Sequence, residues 1–576
     1  MHANTFGPAK RLIVLGTVAG VAIGVVPTFA ATAAPADATA PKNVIVLISD
    51  GAGYNQFDAA RLYDSGTSLQ QVAVDPATGG VEKAPSAASQ VYDSYPVQLG
   101  QSHYSANGRG SYTPEWAWGS FSWVASGATD SAAAATALGT GVKTNNGVIG
   151  QRPGGEQLLT IGEQAQAVGK KVGLVTDVPF NHATPAGFIA HNDNRNDYHG
   201  LATEMIDSGV DVLIGGGHPN YTDANSPRSS HYGQGSWISQ ADFDRVASGQ
   251  TDFSYVESKA QFEAVAAGEN VPDKLFGLAR VAETFQYNRP GLQNNTVLPG
   301  TDAANADVPA LHTAAQAALN VLEQDEDGFF LMVEAGAVDW AGHANQTTRV
   351  VEEQLAFNSA VETVNEWVET NSSWDETLVI VTADHETGYL AGPGAGAANG
   401  WTPLTGEQGA LPSVSWHSGG HTNALVPLYA KGAGAEVLEA RATSWDFVRG
   451  AYLDNTDIGE TVFDFLGHAP AADSAVGVEA SVPLPAAAGV LSLALPTLEN
   501  PVAFDGGARV LPQIVVSDTR NEAQAQGKGW TLAGSASDFV AGNRSFGAEN
   551  LAWSPRVVSS AAGVVAGGDG AVEAPG

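Results

Sequence analysis

The sequence predicts an α/β fold: a doubly wound, mainly parallel central sheet flanked by helices, with a small C-terminal β domain. Three observations predict it. Short apolar runs flanked by turn residues recur at Asn43–Ser49, Val172–Thr176, Val210–Ile214, Phe329–Val333, Leu378–Thr382 and Ala424–Tyr429, the pattern of strands buried on both faces. Helical periodicities lie between them: Leu158, Ile161, Ala165 and Val168, the Ala-rich stretch from Pro309 to Gln324, and Val361, Val364 and Val368. Parallel neighbours need a crossover, and a helix supplies it. Beyond about Gly467 the character changes to Ala, Pro, Val and Gly with short strand-like runs, Ile514–Val516 and Trp530–Leu532.

The domain organisation follows. The chain has 576 residues, several times what one core needs. Residues 1–34 start basic (Lys10, Arg11), continue apolar from Leu12 to Ala30 and end in small residues near Ala33. They read as an export signal removed on secretion, leaving no later membrane span. Residues 35–467 read as the large α/β domain, 468–477 as a linker, and 478–576 as the small β domain, with a core of Val515, Trp530, Leu532, Phe539 and Trp553. Residues 219–301 and 386–420, rich in Gly, Asn and Ser, read as excursions from the sheet.

Composition limits the chemistry. With 26 Lys+Arg against 61 Asp+Glu, the net charge of −35 repels nucleic acid and anionic membranes. A small anionic substrate needs a local positive site, and a bound divalent metal is the most concentrated one available. There are no cysteines, so metals must be held by His and carboxylates.

Such residues follow the predicted strands: Asp50, Glu334, Asp339 and the Asp384-His385 pair. Strand ends of an α/β sheet meet in space, and ligands collect there. Asp339 and His343, four apart, share a helix face if that turn is helical. His421, preceded by two glycines, is preferred over His417 as a further ligand. His2, His103, His218, His231, His312 and His468 read as ordinary surface or core residues. Thr129-Asp130-Ser131 precedes an Ala-rich helical run, so Ser131 falls at a helix N-terminus, where free N–H groups favour a phosphoryl oxygen. Alone, Asp130 or Ser131 reads as a helix cap.

In order along the chain, the strings NVIVLISDG (43–51), TDSAA (129–133), TGVKTNN (140–146), HATPA (182–186), HNDNRNDY (191–198), 333–343, TADHET (382–387) and Gly420–Thr422 resemble the bacterial alkaline phosphatases across most of residues 42–467. The resemblance implies hydrolysis of small phosphate monoesters, for phosphate scavenging outside the cell. It implies Ser131 as nucleophile, Arg195 as the phosphate clamp and Asp130 orienting it. It implies two Zn2+ and one Mg2+: Asp339, His343 and His421 for one zinc, Asp50, Asp384 and His385 for the other, and Asp50, Thr184 and Glu334 for the magnesium. Two positions depart from other members: His182 stands where some carry aspartate, and Trp340 where others carry lysine or histidine. His182 could therefore bring another divalent metal to the third site. A homodimer is a further expectation.

A sulfatase needs a Cys/Ser-x-Pro-x-Arg string, and Ser131 is followed by Ala132-Ala133. A phosphodiesterase differs by what surrounds the phosphate, and Arg195 favours a monoester. A C-terminal resemblance to wall-associated β domains (513–520, 529–530, 551–555) suggests retention at the cell surface, with the metals then structural.

Overall fold

The computed structural model describes residues 40–291 and 297–467, together with six short strands beyond residue 490. The chain divides into two compact units, the larger ending at Pro470. The export signal and the linker lie outside the described residues. In the smaller unit the strands pair as three two-stranded antiparallel ladders: Leu491–Ala494 with Val515–Asp518, Phe539–Ala541 with Arg544–Phe546, and Ala552–Trp553 with Gly570–Ala571. Trp530, Leu532 and the side-chain packing expected there lie outside the described residues.

The larger unit is built on one sheet of eleven strands. In chain order these are β1 (Asn43–Ser49), β2 (Val97–Ser102), β3 (Lys171–Pro179), β4 (Val212–Gly216), β5 (Ser254–Val256), β6 (Leu275–Leu278), β7 (Phe329–Ala335), β8 (Thr377–Thr382), β9 (Val426–Gly432), β10 (Ser444–Asp446) and β11 (Gly450–Asp454). Across the sheet the order is β10-β11-β2-β9-β8-β1-β7-β3-β4-β6-β5. The run from β8 to β5 is parallel throughout, while β9 is antiparallel to both β8 and β2. All six predicted apolar runs are strands of this sheet. The segment 219–301, expected to leave the sheet, is corrected: it contributes β5 and β6, which extend one edge. Its apolar runs are only three and four residues long, too short to stand out among the surrounding Gly and Asn.

Alternation along β1 feeds two cores, as the two-residue period of a strand requires. Ile45 and Leu47 join one apolar cluster with Leu311, Leu319, Val350 and Phe357; Val44, Val46 and Ile48 join the other with Leu138, Ile161, Ile458 and Val462. Helices α1 (Ser131–Thr140) and α4 (Asn455–Phe465) cover the second face, and α2 (Leu311–Leu322) and α3 (Thr347–Asn371) the first.

Small residues set how closely α1 approaches its neighbour. A Cβ added at Gly139 would lie 2.3 Å from the Gly187 carbonyl, and one at Gly187 2.6 Å from the Ala135 Cβ. That contact seats α1 against the short helix Ala183–Ala186. Gly139→Ala should cost about 1–3 kcal/mol by overpacking, read as a lower denaturation midpoint in urea; an unchanged midpoint would mean the two backbones can separate freely.

Candidate metal and phosphoryl-transfer site

The carboxyl ends of β1, β3, β7 and β8 bring the candidate ligands together. Asp50 follows β1, Glu334 lies near the end of β7, Asp384 and His385 follow β8, and His182 caps the short helix after β3. Asp339 and His343 are four residues apart on the helix Ala337–His343, and His421 begins a two-residue strand.

Three sets of donor atoms converge, each within 4.8 Å: Asp339, His343 and His421; Asp50, Asp384 and His385; and Asp50, His182 and Glu334. Backbone carbonyls aim the first set. Gly419 O lies 2.7 Å from His343 Nδ1, and Thr129 O lies 2.8 Å from His421 Nδ1. A carbonyl only accepts, so each Nδ1 carries hydrogen and each Nε2 is turned inward, where the two Nε2 atoms lie 3.0 Å apart. This second layer fixes the ring orientation a metal ligand needs.

The electrostatics call for cations. Among the described residues, neither oxygen of Asp50 nor of Glu334, nor Thr184 Oγ1, nor His182 Nδ1 has a hydrogen-bond partner, although all four residues are buried. Unpaired buried carboxylates are costly, and proteins neutralise them with protons or metals. Burial, reinforced by Asp384, Asp339 and Glu334, pushes the Asp50 carboxyl well above its usual range. Burial raises Glu334 to about 8 and Asp384 to about 6. Asp339 goes the other way: burial opposes its charge, but hydrogen bonds from His343 and His421 hold it well below. His343, bonded to Asp339, rises to about 9. His182 falls to about 3, through burial and then the nearby Arg195 charge, so its imidazole is neutral and available as a ligand. The His and carboxylate donors of the first two sets suit zinc, and the third adds two carboxylates that suit a harder cation.

Ser131 is the first residue of α1 and is buried, its Oγ 3.1 Å from His385 Nε2. Asp130 does two things at once. Its Oδ1 accepts from Ala133 N at 3.0 Å, capping α1, while its Oδ2 accepts from Gly147 N at 3.0 Å and Arg195 Nη1 at 2.9 Å. One carboxylate thus caps α1 with one oxygen and meets Arg195 with the other. Arg195 Nη2 comes within 3.4 Å of His182 Nε2, so the guanidinium reaches from the Asp130 side of Ser131 toward the third donor set. Trp340 and Trp237 flank His182, ring centres 5.8 and 6.1 Å away.

Of the six histidines read as ordinary surface or core residues, four lie among the described residues. His103 is buried against Ala424 O, and burial lowers it to about 4; His218 is buried against Glu257; His231 and His312 are exposed. His417 is exposed, packs on Phe121 and Tyr389, and joins none of the donor sets. His2 and His468 lie outside the described residues. The sequence offered no signal for the residues that brace the ligands: Thr387, whose hydroxyl donates to Asp339 Oδ1, and Gln101, whose amide reaches Ala383 O at 2.9 Å beside Asp384.

A family model described as "Alkaline phosphatase" matches residues 41–408. Alkaline phosphatase 4 of Bacillus subtilis (strain 168) is 32% identical over 279 residues, covering 47% of this chain and 52% of its own. Alkaline phosphatase 3 of the same organism is 30% identical over 355 residues, covering 60% and 61%. The chain thus spans between about half and three fifths of the length of these curated relatives. The crystal structure of a cold-active alkaline phosphatase from Shewanella sp., 24% identical, superposes with a TM-score of 0.50 over 74% of this chain and 99% of that one, a likeness of fold.

Proposed function

The chain belongs to the alkaline phosphatase family, and on that premise we propose that it hydrolyses phosphate monoesters to an alcohol and inorganic phosphate through a phosphoserine formed on Ser131. One observation carries the proposal: Ser131 Oγ stands at a helix N-terminus, 3.1 Å from an imidazole of one donor set, on a helix whose capping carboxylate also grips Arg195.

In this reading Asp339, His343 and His421 hold one zinc, and Asp50, Asp384 and His385 the other. Asp50, Thr184, Glu334 and His182 hold a third divalent ion, magnesium or, through the imidazole, a transition metal. Bound there, the ions supply Lewis acidity that favours the Ser131 alkoxide and offsets charge on the leaving oxygen. The protein's own part is positional. The N-terminus of α1 turns N–H groups toward the phosphoryl oxygens, and Asp130 keeps the Arg195 fork aimed at two non-bridging oxygens. Ser131 Oγ attacks phosphorus, the ester oxygen leaves with its electron pair and takes a proton, and water then cleaves the phosphoserine to return Ser131 and release phosphate.

Export of residues 1–34, extracellular action, a homodimer and wall retention through residues 478–576 belong to the same proposal. No helix among the described residues is long and apolar enough to cross a membrane.

The test compares p-nitrophenyl phosphate with bis-p-nitrophenyl phosphate. The monoester should be the faster substrate, and Arg195→Ala should raise its KM and lower its kcat/KM by about 10- to 100-fold, the worth of a charge-assisted pair of hydrogen bonds. The diester, with fewer charged oxygens to grip, should lose less. A wild-type protein that prefers the diester would overturn the monoesterase reading.

A further inference from the structure

Glu386 directly follows His385, yet the chemistry above gives it nothing to do. It is only 4% exposed, and its carboxylate receives four hydrogen bonds from three parts of the chain. Oε1 accepts from Gln56 Nε2 at 2.7 Å and Leu390 N at 3.1 Å; Oε2 accepts from Thr422 Oγ1 at 2.5 Å and Tyr389 N at 3.2 Å. Space is kept for it: a Cβ at Gly53 would lie 2.4 Å from Glu386 Cγ. The loop it gathers holds Tyr389 in the left-handed region, φ 52°, a conformation a tyrosine keeps only where surrounding bonds impose it.

The surroundings show what those bonds join. Glu386–Thr387 and His421–Thr422 form a two-residue antiparallel ladder, with Glu386 opposite Thr422 and Thr387 opposite His421. Thr387 Oγ1 donates to Asp339 Oδ1, and Thr387 N bonds Gly51 O at 2.9 Å. Gly51 N in turn donates to Asp384 Oδ1 at 3.1 Å. Gln56 Nε2 spends its second hydrogen on Thr387 O at 2.7 Å. The ladder therefore touches both the Asp339-His343-His421 set and the Asp50-Asp384-His385 set.

We propose that Glu386 is a positioning residue of the metal centre: its carboxylate clasps the ladder bearing His421 to the segment bearing Asp384 and His385, and so fixes the spacing of the two donor sets. The proposal rests on the metal-site reading above. An ionised carboxylate accepts at both oxygens; a glutamine must turn an N–H2 toward either Thr422 and Tyr389 N or Gln56 and Leu390 N. Donors left facing a donor push the ladder apart.

Zinc affinity of the full-length apoprotein, measured by competition with a chromophoric chelator, tests this in wild type and Glu386→Gln. Outer partners of metal ligands are worth roughly 10- to 100-fold in metal affinity, and that is the expected loss. Because the ligands themselves remain, excess zinc should restore kcat. Thr422→Val, which removes one donor only, should shift affinity in the same direction by less. A residue needed only for folding would lower the melting temperature and leave the zinc affinity of the folded molecules unchanged; that result in Glu386→Gln overturns the proposal. If Glu386→Gln does not fold, Thr422→Val and Gln56→Met decide, and wild-type affinity in both overturns it. Wild-type protein that takes up no zinc would instead overturn the metal-site reading.

Discussion

Ser131→Ala is expected to lower kcat/KM for p-nitrophenyl phosphate by about 10⁴-fold or more and to abolish the acid-stable phosphoenzyme trapped with labelled substrate, since removing a nucleophile commonly costs several powers of ten. The Ser131 hydroxyl bonds His385 Nε2 at 3.1 Å. The cap of α1 belongs to Asp130, whose bond to Ala133 N survives the substitution. Alanine is also the best helix former, and the one hydrogen bond lost is worth about 1 kcal/mol, so unfolding free energy should stay within about 1 kcal/mol of wild type. Loss of turnover with an unaltered denaturation midpoint separates a missing nucleophile from a damaged fold. Label persisting in Ser131→Ala, on another residue, would show the nucleophile to be misassigned.

How legible this centre was in the sequence depended on which interaction fixed each residue. β1 was readable because a parallel strand buried on both faces must be apolar at every position, and all seven residues of Asn43–Ser49 are buried. β2 was not, because VQLGQS is apolar at only two positions. There a buried amide does the work instead: Gln101 donates to Ala383 O and accepts from Thr382 Oγ1, both at 2.9 Å. The candidate ligands stood out as acids and imidazoles at strand ends, a pattern local to each segment. Their braces did not. Glu386 and Gln56 meet across 330 residues, and nothing in the run TADHET marks its glutamate as the acceptor for a helix that begins at Tyr54. Asp130 hid in a different way, since a helix cap and an arginine partner use different oxygens of one carboxylate and leave the same mark in the sequence.

Stripping the metals should have a second large effect, on protons as well as on turnover. A chelator is expected to reduce hydrolysis by at least about 10³-fold, with recovery on adding zinc, because metal ions supply the charge stabilisation the buried carboxylates are arranged to receive. In the stripped protein His343 titrates at about 9 and Glu334 at about 8, so at pH 7 both carry protons. Metal ligands must be deprotonated. Loading zinc and magnesium at pH 7 should therefore release at least about two protons per chain, more if the raised Asp50 carboxyl also carries one, read as a buffer-dependent heat in titration calorimetry. The release should shrink as pH rises through 8 and 9, and metal affinity should strengthen over the same window. Stability of the stripped protein runs the opposite way. Both groups have folded values above their unfolded ones, so the folded state binds more protons. The stability they contribute is present at low pH and is lost as pH rises, through about 8 for Glu334 and about 9 for His343. The melting temperature of the stripped protein should fall from about pH 7 to pH 9, above the range in which the depressed histidines titrate in the unfolded chain, while that of the loaded protein, whose carboxylates face cations, should fall far less. Equal pH slopes for the two forms, or full activity in a preparation shown metal-free by elemental analysis, would contradict a centre built to hold cations.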